Sequence, residues 1–173
     1  MENVLEVVQQ VLRTTPVRWL GLTQSLSPDV LKHSPASGEW SAHECLQHLV
    51  DTERSVFPVR IRAFLAGQDF PAFDPDSQGT KPEASLAPVE LAAEFARLRE
   101  QSLELLQTLN ETDLPRQARH SELGLVSLSE MIHEWAGHDL MHTVQGEQAL
   151  MQPFIEGCGA WQKYFSKHIV DTK

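Results

Sequence analysis

The chain has 173 residues, enough for one domain over 1–173 whose core needs no disulfide or metal staple. With 24 Asp and Glu against 14 Lys and Arg, the net charge of -10 argues against nucleic-acid or anionic-membrane binding and favours a small molecule or another protein as partner. Cys45 and Cys158 form no disulfide framework or CxxC motif, the N-terminus lacks the basic and long apolar regions of a signal peptide, and no stretch is apolar enough to span a bilayer, so the expected setting is cytoplasmic.

Apolar residues recur at helical spacing, and neither a period-2 strand nor an NG or DG hairpin stands out, so the chain reads as all-α. A short helix is expected over residues 2–13, and a second from Thr15 as N-cap, with Pro16 at the first helical position, to Leu26. The connector SPDVLKHSPASGE leads to Ser41-Ala-His-Glu44, a capping box that opens a long helix over 42–66. Pro58 kinks that helix and Gly67 ends it. The stretch from Gln68 to Ser85 reads as a loop long enough to cover a site, with two exposed phenylalanines.

A further helix over 88–109 carries Leu91, Phe95, Leu98, Ser102, Leu105 and Leu109 on its buried stripe, with its charges elsewhere. A second capping box, Ser127 to Glu130, opens a helix reaching Leu150, and PFIEGCGAWQKYFSKHIV reads as a last helix packed on the bundle. No repeat or low-complexity segment interrupts this plan, which is a four-helix bundle with additional short helices.

The stretch HEWAGHDLMH, residues 133–142, contains three histidines. At ~100° per residue, His138 and His142 lie ~40° apart on one helix face, whereas His133 lies ~140° away from His138. The zinc-protease motif HExxH is therefore only imitated, since one residue too many separates His133 from His138. Leu128, Met131, Trp135, His138, His142, Gln145 and Ala149 follow core-facing spacing, so the pair points inward and His133 outward. Two stacked inward histidines need partners, either a hydrogen-bonded polar cluster or a metal.

A third ligand would come from the helix that Ser41 opens, where His43, Glu44, Cys45 and His48 are candidates. His48 is favoured because LQHLV embeds it among apolar residues, whereas His43 reads as solvated and Cys45 as a small buried residue. His33, His120 and His168 read as surface polar residues. Glu134, one turn before His138, is a catalytic candidate as ligand orienter or proton acceptor, and Asp139 is directed at solvent or a neighbouring helix.

The segment GEWSAHECLQHLVDTE together with HDLMH on a later helix resembles the DinB/YfiT-like superfamily over most of the chain. That resemblance implies a four-helix bundle with a divalent metal held by His48, His138 and His142. Members of that superfamily include S-transferases and an isomerase that use a low-molecular-weight thiol, so the expectation is a metal-dependent enzyme acting on a small-molecule substrate, either such an S-transferase or a hydrolase, with a homodimer as one expected assembly. Imidazole ligands suit zinc or nickel, with iron or manganese as alternatives. A non-enzymatic, stress-related bundle with a structural metal is the competing expectation.

Overall fold

The computed structural model describes residues 3–170, so the expected helix start at residue 2 lies outside the described residues. The helices are α1 (Val4–Ser25), α2 (Pro28–Lys32), α3 (Ala42–Ser55), α4 (Phe57–Ala66), α5 (Pro75–Gln78), α6 (Pro88–Gln107) and α7 (Leu128–Gly157). Two strands, β1 (Gln117–His120) and β2 (Gly124–Ser127), form an antiparallel hairpin directly before α7. α1 packs against α6 and α7, and α3 packs against the same two helices, which closes a four-helix bundle.

The two helices expected over 2–13 and 15–26 are one continuous α1, capped by the Asn3 side chain at the amide of Leu5. Pro16 does not break it. A proline lacks the N–H that would bond to the carbonyl four residues earlier. Here that carbonyl, on Leu12, accepts a hydrogen bond from Arg99 Nη1 at 2.8 Å instead. The tertiary structure thus supplies the partner that local chemistry removes.

Pro58 acts more strongly than a kink: α3 ends at Ser55, Val56 is distorted to φ -116° and ψ -76°, and α4 restarts at Phe57 with Pro58 in its first turn. There the missing N–H costs nothing, because first-turn amides have no intrahelical acceptor. The Ser41–Glu44 and Ser127–Glu130 capping boxes both form as expected. α7 runs through Pro153 to Gly157 rather than ending at Leu150, and the segment after it is a 3₁₀ turn, Gly159–Phe165, rather than a helix.

The hairpin corrects the expectation that no strand is present. Its four-residue strands are too short to show an alternating pattern, and its turn uses Gly124 at φ +78° instead of an NG or DG pair. Phe70, expected exposed, is buried, and its amide donates to the Arg119 carbonyl, so the loop after α4 docks on the hairpin.

The core has two apolar levels. One holds Leu5, Leu12, Phe57, Phe64, Leu106 and Trp135; the other holds Trp19, Leu46, Leu49, Leu91 and Phe95. Phe57 and Trp135 stack at 5.0 Å, an arrangement that contributes ~0.5–1.5 kcal/mol beyond the area it buries. Between the levels lies Arg99, only 1% exposed, although the charges of α6 are expected off its buried stripe. Its guanidinium binds Glu53 on α3, Asp139 on α7, and Leu12 and Thr15 on α1. Burial opposes its charge, but Asp139 and Glu53 outweigh this and hold its pKa above the ordinary arginine value. Asp139 therefore faces neighbouring helices, not solvent.

Candidate metal centre

The capping box fixes the start of α3, and His48 lies two turns in, on the side that meets α7. His138 and His142 project from α7 one turn apart toward the same point. One ring nitrogen from each of the three lies within 4.8 Å of the others. His48 Nε2 and His138 Nε2 are 3.0 Å apart, and the ring centroids are 4.5–5.0 Å apart. Two nitrogens bound to one ion at ~2.1 Å with an angle of ~90–110° would be ~3.0–3.4 Å apart, so this spacing fits a shared ion.

Protonation agrees with the spacing. Burial, then the charge of His142, lowers the pKa of His48 to about 4. Burial followed by both partner histidines depresses His138 further, and burial lowers His142. All three are neutral near pH 7, as metal coordination requires. His142 Nδ1 faces Gln145 Oε1 at 2.8 Å; an amide oxygen only accepts, so Nδ1 carries the proton and the Nε2 lone pair is free for an ion. His138 Nδ1 is buried with no hydrogen-bond partner among the described residues.

Aromatic rings enclose the cluster. Trp40, directly before the α3 cap, stacks on His142 at 5.7 Å, and Phe57 at the start of α4 meets His138 edge-on at 5.1 Å. On its open side the cluster borders a cavity of about 510 Å³ walled by α3, α4, α7, the hairpin and the loop after α4. That loop brings Phe70, Ala72, Phe73 and Pro75 to the wall. It is tied down where Asp51, one turn beyond His48, accepts hydrogen bonds from the Thr80 amide at 2.8 Å and hydroxyl at 2.6 Å.

The other candidates lie elsewhere. His133 is exposed and bonded to the Ser129 carbonyl of its own helix. His43 is buried rather than solvated, because the loop folds over it and Ser85 Oγ meets its Nε2 at 3.0 Å. Glu44 is engaged in the cap. Cys45 is buried in the apolar core, and burial followed by Glu44 pushes its thiol up to about 12. Glu134 lines the cavity one turn before His138; desolvation raises its pKa, with Arg60 acting in opposition. His33 and His168 are exposed as expected, but His120 is 7% exposed and lines the same cavity, as does Arg60 of α4. For Arg60 no sequence signal exists beyond its position three residues after Phe57, and for His120 the unseen hairpin hides the burial.

A family model of the DinB superfamily matches residues 12–145. The chain belongs to the DinB superfamily. A relative from Oceanobacillus iheyensis, whose name provisionally assigns it as a metal-dependent hydrolase, is 25% identical over 145 residues, covering 81% of this chain and 78% of its own length. The solved structure of YfiT from Bacillus subtilis, described as a probable metal-dependent hydrolase with an unusual four-helix bundle topology, matches with a TM-score of 0.74 at 19% identity over 87% of each chain. That likeness shows a shared fold. Among the described residues no helix is long and apolar enough to cross a membrane.

Proposed function

We propose that this DinB-superfamily chain is a metal-dependent hydrolase of a small molecule, with its ion held by His48, His138 and His142. The observation that carries this reading is the convergence of three neutral imidazoles, from two helices, at the end of a cavity large enough for a substrate. The names of its relatives support the reaction class. Zinc or nickel suits three imidazole nitrogens in apolar surroundings. When bound, the ion supplies Lewis acidity and lowers the pKa of a water molecule.

The chain's own residues do the rest. Gln145 fixes the tautomer of His142. Trp40, Phe57 and Phe73 keep bulk water from the ligand nitrogens and give the substrate an apolar wall. Glu134, exposed on the cavity lining one turn before His138 and with its pKa raised by desolvation, would take a proton from the attacking water and return it to the leaving group.

The test combines elemental analysis with turnover on a panel of esters, amides and thioesters. Wild-type protein should carry about one ion per chain; His142→Ala and His48→Ala should lose it, and turnover should drop at least ~100-fold while helical circular dichroism is retained. Undiminished turnover in the metal-free variants would remove the proposal.

A further inference from the structure

From the lining of the cavity that the histidines border, we infer that the substrate carries a carboxylate, bound by Arg60 and His120 acting as a pair of hydrogen-bond donors. This inference rests on the hydrolase reading of the same cavity and names its substrate class.

The argument starts with the tautomer of His120. Its Nδ1 accepts hydrogen bonds from the backbone amides of Glu122 at 3.2 Å and Leu123 at 3.3 Å, so that nitrogen holds a lone pair. A neutral imidazole with an unprotonated Nδ1 carries its hydrogen on Nε2. Burial and the nearby Arg60 charge both oppose a second proton.

The group nearest to His120 Nε2 is Arg60 Nη2 at 3.4 Å, and a guanidinium only donates. With His120 in this tautomer two donors face each other, on a ring that is 7% exposed, and neither has another hydrogen-bond partner among the described residues. Among the described residues no carboxylate lies within ion-pair distance of Arg60, whose pKa is lowered by burial, with Glu134 acting in the opposite sense. A half-buried guanidinium and a buried N–H, both without an acceptor and both on a cavity wall, are what a ligand oxygen completes.

A carboxylate fits better than a phosphate. Its two oxygens match one donor each, and Glu122, Glu130 and Glu134, which also line the cavity, would repel a dianion more than a monoanion. The path between the two ends is apolar: Phe57, which touches His138, lies one turn before Arg60 on α4, and the Arg60 guanidinium is itself held 5.2 Å above the Phe70 ring. The ligand is thus a short molecule with a hydrolysable group at the histidines, an apolar body against Phe57 and Phe70, and a carboxylate at Arg60 and His120.

The experiment titrates zinc-reconstituted protein with pairs of aryl hydroxamates of increasing spacer length, each pair identical except that one member ends in a carboxylate and the other in the carboxamide. At one spacer length the carboxylate should bind wild-type protein at least tenfold tighter, and the ratio should fall toward one in both Arg60→Met and His120→Phe while Arg60→Lys retains part of it. Equal binding of the two members at every length, or a ratio that survives both substitutions, overturns the inference and leaves the metal reading standing. Failure of both members of every pair to bind zinc-loaded wild-type protein would overturn both.

Discussion

His142 shows how a single side chain is prepared before any ligand arrives. Its Nδ1 proton is committed to Gln145, three residues along the same helix, so its Nε2 lone pair is presented to the space shared with His48 and His138. Replacing Gln145 with leucine removes the acceptor and leaves the ring free to change tautomer or rotate. Metal affinity should fall ~10–100-fold, the usual effect of losing such a supporting bond, as measured by competition with a chelator of known strength. Equal affinity would show that packing against Trp40 alone orients the ring. The residue types and spacing of the histidine pair were legible in the sequence, and so was the favoured position of His48. The tautomer was not, because it depends on which neighbour has a free acceptor.

At the level of helices, the contact between α1 and α7 depends on a residue without a side chain. A Cβ built on Gly146 would lie 2.5 Å from Trp19 Cη2. Trp19 is fully buried, so its ring has little room to retreat. Gly146→Ala should therefore cost ~1–3 kcal/mol despite the better helix propensity of alanine, seen as a lower midpoint in urea with an unchanged slope. A neutral or stabilising outcome would mean that the helices separate at little cost. The hairpin illustrates the opposite case. Its four-residue strands carry almost no periodic signal, yet its turn places both backbone amides that define the His120 tautomer. Short elements are set by what they dock on, here Phe70 and the start of α7, which no local pattern reports.

For the molecule as a whole, Arg99 connects α1, α3 and α7 from its place on α6, and every one of its nitrogens has an acceptor. Removing it leaves Glu53 buried without its donor and Asp139 with only the Thr15 hydroxyl against its charge. Arg99→Met should destabilise by ~3–5 kcal/mol, as breaking one side of a buried ion pair generally does, measured by equilibrium denaturation; a loss below ~1 kcal/mol would show that water replaces the guanidinium. Acid acts on the whole fold through the histidine cluster. The His48 pKa is lowered to about 4 from an ordinary value of 6.5, chiefly by burial, so the unfolded chain binds more protons than the folded one. Stability from this group is intact above about pH 6.5 and is lost as the pH falls toward 4. Metal-free protein should melt at progressively lower temperature across that window, and His48→Gln should show a shallower decline; parallel declines would assign the effect to other groups.

By itself the sequence determined the helical periodicity, both capping boxes and the one-turn spacing of His138 and His142, because these follow from backbone geometry within a few residues. The continuity of α1 through Pro16, the burial of Arg99, and the meeting of Arg60 with His120 were decided only by the tertiary structure. Each of these joins groups that are 40 to 87 residues apart, beyond what local propensity can anticipate. A proline, a charge or a histidine is costly or harmless according to the partner it finds, and that partner comes from another part of the chain.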